Sequence, residues 1–464
     1  MSVRGCGFMN PPDRKALIES FRAAAHRQID QWVDQQVEML TAQNIPTLRQ
    51  MSDQFMQTRA TLLGGCLQEM ATRLTASYRH QELARCPHCG KSLKRHSVNA
   101  KTLHTMQGDI TLERPYLYCR NCKVGFYPLD EALELAEEAY QYDMQEKMLR
   151  LGIESPYAIS ADLFKELTGI SPSDHCLHDT LNRIGTPAPI EEVIPSAEEI
   201  IRRIESVNSP EEGLPVLVVA GDGAHTPTRP KGKRNNRRGP GKWREVKGFR
   251  IYLLDGKERI VQIASWHQIQ DADQFTRDLA AVAERIPLER VRIALLGDGA
   301  EWLWNAMNQC FPEAREVLDY YHCAEHVHKV ARLQYGDTLD ARQWAEATIT
   351  RLFMDRTDLV LGGLKRMQPG GVEAEKEIRK LINYLSTHKD RLAYKDCKET
   401  GLPIGSGGIE SANKHICHVR LKRSGAWWLE ENGNTMLRLR CALYNGTFDT
   451  VLNSYIAKKR LRSL

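Results

Sequence analysis

The tetrapeptide GDGA closes two apolar runs, LPVLVVAGDGA at residues 214–224 and VRIALLGDGA at 291–300, so that Asp222 and Asp298 stand at the ends of two strand-like segments. The repeat has three readings: a pair of ordinary Asp-Gly turns, a vestige of duplication, or two acids delivered to one place. A third Asp-Gly, Asp255-Gly256 in LLDGKERI, has strand-like residues on both sides and reads as a hairpin turn. Neither GDGA is followed by a second strand. Two carboxylates at one edge repel, and burying them unpaired is costly. A divalent cation resolves this, because Mg²⁺ favours carboxylate oxygens and keeps waters and phosphate oxygens as its other ligands. Two such ions about 4 Å apart activate an oxygen nucleophile and stabilise the leaving oxygen of a phosphodiester. The glycines around each aspartate are expected to let a sugar-phosphate backbone come close. A third carboxylate is offered by Glu410 in GLPIGSGGIESANKHICHVRLKRSGAWW, residues 401–428, where a helix begins at Ile409 behind Gly405, Gly407 and Gly408. Alone, Glu410 also reads as a first-turn acid favoured by the helix dipole.

A second chemistry belongs to thiols. CPHC at 86–89 and CRNC at 119–122 each turn sharply enough to give two sulfurs to one ion, and the residues between them (LKRHSV, DITLERPYLY) alternate like short strands. One pair alone also fits a redox dithiol. Two pairs predict a tetrahedral Zn²⁺ site formed by Cys86, Cys89, Cys119 and Cys122, structural because all four positions are filled by protein.

The elements that must position these groups follow from periodicity. The chain has 464 residues, 42% hydrophobic and 27% charged, enough for two or three domains. It has no apolar run of the roughly 20 residues needed to span a bilayer and no secretory h-region, so a cytoplasmic, nucleoid-associated protein without membrane contact is expected. Twelve scattered cysteines then read as reduced thiols. Residues 1–80 form a helical N-terminal region, 81–130 a zinc ribbon, and 131–185 a group of short helices. In that group FKELTGISPSDHCLHDTLNRIG has the cadence of a helix-turn-helix, and equally of a plain three-helix packing. The Pro- and Glu-rich stretch 186–213 reads as a linker containing one short helix. From 214 the order becomes βββαβαβ, a mixed sheet crossed by helices. Residues 324–400 read as helices, and 401–464 as final helices carrying Glu410. Although the net charge is only +5, residues 229–250 hold ten Lys or Arg against one acid. Lys233, Arg234, Arg237 and Arg238 in that run, with Lys414, Arg420, Lys422 and Arg423 near Glu410, point to a polyanionic partner. Trp302 and Trp304 read as core, with base stacking as the alternative.

The order βββαβαβ resembles the ribonuclease H-like fold, in which the first and fourth strands lie side by side and parallel. Together with GDGAEWLWN, LDYYH and GSGGIESANK, it resembles the DDE transposases of bacterial insertion sequences, most of all the ISKra group related to Mutator-like transposases. The resemblance implies a multidomain α/β protein. Its ribonuclease H-like core (214–323 and 401–464) would be interrupted by an all-helical insertion and preceded by the zinc ribbon and helix-turn-helix. It implies that Asp222, Asp298 and Glu410 hold Mg²⁺ or Mn²⁺, that Asp319 and His322 are the Asp-x-x-His signature, and that the insertion touches transposon-end DNA or merely braces the core. The expected activity is binding of terminal inverted repeats, followed by strand cleavage and transfer to target DNA, by a homo-oligomer on DNA. The rival expectations are a ribonuclease H-like nuclease without strand transfer and a domesticated, non-catalytic DNA-binding protein.

Overall fold

The structure, a computed structural model, describes residues 14–41, 45–79, 83–86, 88–207, 213–231, 240–255 and 259–463. The chain divides into two compact units, one running through Arg183 and including Leu452–Leu464, the other Ile184–Val451.

The first unit opens with two long helices, α1 (Arg14–Thr41) and α2 (Leu48–Leu74), then the single turn α3 (Ala76–Arg79). A capping box starts α2: Thr47 Oγ1 accepts from the Gln50 backbone N–H, and Gln50 Oε1 accepts from that of Thr47. Trp32 of α1 meets Phe55 of α2 edge to face at 4.8 Å. Ile18, Ile29, Val33 and Val37 remain exposed along α1.

A four-stranded antiparallel sheet follows, in the order β1 (Leu83–Arg85), β2 (Ser92–Thr105), β3 (Gly108–Cys119), β4 (Val124–Phe126). Gly108, with φ of +125°, turns β2 into β3 against α2, where a Cβ would stand 2.2 Å from the Ala60 carbonyl oxygen. Only glycine fits there. After α4 (Pro128–Ala132), the stretch 131–185 expected to hold short helices contains three: α5 (Tyr142–Glu154), α6 (Tyr157–Thr168) and α7 (Asp174–Gly185). Gly169 ends α6 in the left-handed region at φ +76°, and the Ser173 hydroxyl caps α7 by accepting the Cys176 N–H. Met144, Met148, Phe164 and Leu177 form their core.

In the second unit the stretch read as a linker holds two helices rather than one, α8 (Ile190–Val193) and α9 (Ala197–Val207). Ile200 and Ile204 of α9 are buried, so the segment is packed rather than free. The main sheet contains β5 (Val216–Thr228), β6 (Lys242–Leu254), β7 (Ile260–Ile269), β8 (Arg292–Gly297) and β9 (Arg315–Leu318), in the order β7-β6-β5-β8-β9. The first three pair antiparallel, whereas β8 joins β5, and β9 joins β8, in parallel. The turn expected at Asp255-Gly256 involves Gly256, outside the described residues, but the strands on either side pair antiparallel from Leu254 and Ile260.

Helices α10 (Ala272–Ala283) and α11 (Glu301–Cys310) join the later strands. Five more, α12 (Tyr320–Tyr335), α13 (Leu339–Phe353), α14 (Thr357–Arg366), α15 (Val372–Thr387) and α16 (Tyr394–Glu399), separate β9 from α17 (Gly407–Asn413). A π-helical turn at Lys414–His418 and the short α18 (Val419–Leu421) extend α17, and α19 (Glu430–Asn445) and α20 (Phe448–Ser463) end the chain. Strand residues alternate between faces. Gly221 faces Leu303 of α11 while Asp222 meets Asn413 of α17, so those two helices cover opposite faces of β5.

Candidate functional site

Both GDGA aspartates sit where β5 and β8 stop pairing. The parallel register runs from Val216 opposite Arg292 to Ala220 opposite Leu296, and continuing it two residues sets Asp222 level with Asp298. Apolar runs force both strands into the sheet centre, so neither acid is free to leave the edge. Burial first, and then the Asp298 carboxylate, push the Asp222 carboxyl up to about 6, with Glu410 adding to the repulsion. The Gly223 N–H donates to Asp222 Oδ1 at 2.6 Å and Asn413 Nδ2 donates to Oδ2 at 2.7 Å, both favouring the anion. Asp298 accepts from the Ala300 N–H at 3.0 Å, and its carbonyl accepts from the Tyr384 hydroxyl of α15 at 2.8 Å. Glu410, exposed on α17, accepts from the Ser406 hydroxyl at 3.1 Å.

The Asp222 shift gives a stability test. Between the ordinary 3.8 and about 6 the unfolded chain has released this proton and the metal-free folded chain has not, so stability falls across that window and is level above it. Asp222→Asn is therefore expected to stabilise the metal-free protein above pH 6, by up to about 3 kcal/mol. Thermal melts at pH 4.5 and 7.5 should show the larger gain at the higher pH, since the lower one lies near the start of the window.

Glu410 reaches the edge through Asp319. The last strand of the βββαβαβ order ends at Leu318, because Asp319 caps α12 by accepting the His322 N–H at 2.5 Å. Its second carboxylate oxygen accepts from the Ser406 N–H, and its own N–H donates to the Gly297 carbonyl at 2.9 Å. Asp319, 1% exposed, thus ties the end of β8 to the turn that opens α17. It does not face solvent as a direct ligand would. Losing an N-cap together with a charged hydrogen bond costs about 2–4 kcal/mol. Asp319→Ala is expected to lower the urea midpoint accordingly, and Asp319→Asn to retain part of the loss. His322 stands a turn later, its ring 5.0 Å from that of His326, which in turn packs on Tyr384 at 4.6 Å.

The expectation that the glycines leave room for DNA is corrected. A Cβ at Gly221 or Gly297 would strike Leu303, one at Gly223 would strike Glu245, and one at Gly408 would strike Tyr252. Gly299, at φ +108°, would strike Tyr384 and His388. The space belongs to the protein's own side chains, which pack the acids in place. Of the basic residues, Lys414, Lys422 and Arg423 are exposed, whereas Arg420 is 4% exposed with its guanidinium over Trp428, and braces the fold instead. Lys233, Arg234, Arg237 and Arg238 lie outside the described residues. Trp304 is core, and Trp302 packs on Phe275 and under Lys247.

The thiols form a second centre. The four Sγ atoms of Cys86, Cys89, Cys119 and Cys122 all lie within 4.8 Å of one another, with Cys89 to Cys119 at 3.7 Å and Cys86 to Cys122 at 4.0 Å. Thiolates bound tetrahedrally at about 2.3 Å have edges of about 3.8 Å, so the cluster suits a metal such as zinc. Both knuckles have one design: the N–H of Gly90 returns to the Cys86 carbonyl and that of Lys123 to the Cys119 carbonyl, each donor residue having positive φ. Leu93 and Leu117 pack beneath, with Val124 and Phe126. The Lys91 N–H, then the Cys122 thiol, pull the Cys89 thiol down to about 6, favouring a thiolate before any metal arrives. Among the described residues this quartet is the close-set group of potential ligands; the three carboxylates are electrostatic neighbours rather than a closed cage.

Four groups escaped the sequence reading: Tyr384, Ser406, His267, and the role of Asn413. Their types are common on helices and strands, and only tertiary contacts single them out.

These features define a mixed α/β protein with clustered carboxylates beside β5 and β8 and a four-cysteine cluster that could hold a metal. The chain belongs to the uncharacterised protein family UPF0236, whose model matches residues 90–452. A UPF0236 protein in the vanSb 3′ region of Streptococcus gallolyticus is 23% identical over 418 residues, 85% of this chain and 81% of the relative. A UPF0236 protein of Caldanaerobacter subterraneus subsp. tengcongensis, whose name joins eleven designations, is 26% identical over 361 residues, 75% of this chain and 68% of the relative. Among solved structures, a chain of the Drosophila P element transposase strand transfer complex aligns with a TM-score of 0.26 and 13% identity, over 70% of this chain and 82% of that one. No helix among the described residues is long and apolar enough to cross a membrane.

Proposed function

We propose that the chain is a DDE-type transposase with a ribonuclease H-like core, which cuts DNA at the ends of an insertion sequence and joins the freed 3′-hydroxyl to target DNA. The observation that carries this reading is that Asp222 and Asp298 each stand two residues beyond the last parallel pair of β5 and β8, with the Asp298 and Glu410 carboxylates both opposing ionisation of Asp222. The sheet order, with the first strand between the second and fourth, supports the same core.

Three oxygen donors, one already resisting its own charge, are a set that suits a hard divalent cation. Mg²⁺ or Mn²⁺ held by Asp222, Asp298 and Glu410 would supply Lewis-acid stabilisation of charge at the reacting phosphorus. The protein's part is orientation. The Gly223 and Ala300 N–H groups, Asn413 and Ser406 hold the acids from three separate elements, and Lys414, Lys422 and Arg423 offer exposed cations along the segment after Glu410. Phosphate contacts of that kind position a duplex without reading its sequence. Hydrolysis and joining are both in-line attacks by oxygen on phosphorus, so one acidic site can serve both. Zinc in the cysteine quartet would pin the β ribbon and take no part in the chemistry. The eleven designations in one relative's name fit a sequence present in many copies of a genome, which favours a mobile element over a housekeeping nuclease.

The full chain, incubated with Mg²⁺, a plasmid carrying the inverted repeats expected to flank its gene and a second plasmid as target, should yield joined DNA. Cuts without joining would select the nuclease reading. Retention of the repeats on the protein without cuts would select the non-catalytic one.

A further inference from the structure

Across the three antiparallel strands of the second unit, Asp222, Gly248 and His267 occupy one row: Asp222 pairs with Gly248, and Gly248 with His267. The middle position has no side chain, and the imidazole fills it. A Cβ at Gly248 would stand 2.1 Å from His267 Cδ2 and 2.5 Å from Nε2. From the helix above, Asn413, 3% exposed, donates through Nδ2 to Asp222 Oδ2 at 2.7 Å. The other end of that amide, Oδ1, and the imidazole Nε2 are both buried and both short of hydrogen-bond geometry with any partner. The far ring nitrogen, Nδ1, faces Cys441 Sγ of α19 at 4.0 Å. His267 is 0% exposed, and burial holds it neutral, down to about 3, so it carries one N–H.

An asparagine amide has a donor end and an acceptor end of nearly the same shape. Turned over, it would aim Oδ1 at the Asp222 carboxylate, acceptor against acceptor. The Asp222 carboxylate favours the donor end, and within this row the buried group left without a partner that could hold the acceptor end is His267.

We infer that His267, Asn413 and Asp222 form an orienting relay, in which the His267 Nε2–H fixes the Asn413 amide and the amide N–H fixes the carboxylate in the pose that takes a divalent cation. Asn413 and His267 are positioning residues, and neither touches substrate. The inference rests on the reading of Asp222 as a metal ligand.

The experiment is Mn²⁺ binding to the full-length, zinc-loaded chain, followed by electron paramagnetic resonance, with melting curves on the same samples. Removing a partner that orients a metal ligand commonly costs about 10–100-fold in metal affinity. His267→Leu and Asn413→Ala are expected to weaken Mn²⁺ binding at least about tenfold. His267→Leu should melt no lower than wild type, because an apolar side chain suits the buried slot. His267→Gln, which keeps an N–H donor, should bind close to wild type. Gly248→Ala, which pushes the ring out of its slot, tests the relay from its middle and should bind as weakly as His267→Leu. The relay is overturned if Asn413→Ala binds as tightly as wild type, or if His267→Leu and His267→Gln are equally impaired, since the ring would then only fill space. Asp222→Ala separates the two layers. Wild-type Mn²⁺ binding by that variant overturns the metal-ligand reading itself, whereas lost binding there with normal binding in the relay variants overturns the relay alone.

Discussion

Asp222→Asn, Asp298→Asn and Glu410→Gln are each expected to abolish cleavage and joining of end DNA while leaving its binding intact. Each change removes one negative charge with little change in shape. A bound cation contributes several kcal/mol to charge stabilisation in phosphoryl transfer, which corresponds to about 10³-fold or more in rate. DNA binding by contrast depends on cations such as Lys414, Lys422 and Arg423, and loses nothing when an acid is neutralised. Asp222 is expected to be the least disruptive to the fold, since its replacement relieves the repulsion that raises its carboxyl. Gel assays of cleavage beside filter binding of the same duplex separate the two effects. Near wild-type cleavage by one variant would remove that residue from the set, and loss of binding in all three would mean that the acids act on the fold and not on phosphorus.

Removing metal from the cysteine quartet is expected to have the largest effect on stability. The first unit's β ribbon is anchored at one end by Gly108 and at the other by the two knuckles, and among the described residues the apolar groups around the thiols are few: Leu93, Leu117, Val124 and Phe126. So small a core does not hold two turns together unaided. Freshly purified protein should contain one zinc per chain, and metal binding in such a site is folding free energy. Cys119→Ser removes a buried ligand at the end of β3 and should expose the ribbon to proteolysis while the second unit's sheet stays protected. Elemental analysis and limited proteolysis with and without a chelator read this directly. Absence of zinc with an intact ribbon would return the quartet to ordinary thiols.

Much of this protein was legible in its residues. The strand order βββαβαβ follows from the apolar runs and the helical periods between them, and the turn residues Gly169 and Ser173 mark the ends of α6 and α7 because local backbone chemistry decides such points. The cysteine centre was legible too, since each knuckle is built within a few residues and a tetrahedral site demands four thiols. Local rules misread two features. Arg420 lies in a basic run and is buried, its guanidinium over Trp428. The glycines of the two GDGA stretches do not clear a path; they admit Leu303, Glu245 and Tyr384. Asp319, the acid of the Asp-x-x-His spacing, acts in the fold as a cap and tether.

The sequence by itself determined which acids and thiols the protein has; it placed Asp298 just past a strand end, but Asp222, read as closing its strand, lies inside β5, which runs on to Thr228. Only the tertiary structure decided that Asp222 and Asp298 stand level, that Asn413 reaches Asp222 across nearly two hundred residues, and that His267 lies in the gap above Gly248. Strand register and helix placement are set by which side chains interlock across the whole unit, and a pair so far apart in the chain leaves no periodic trace in either segment.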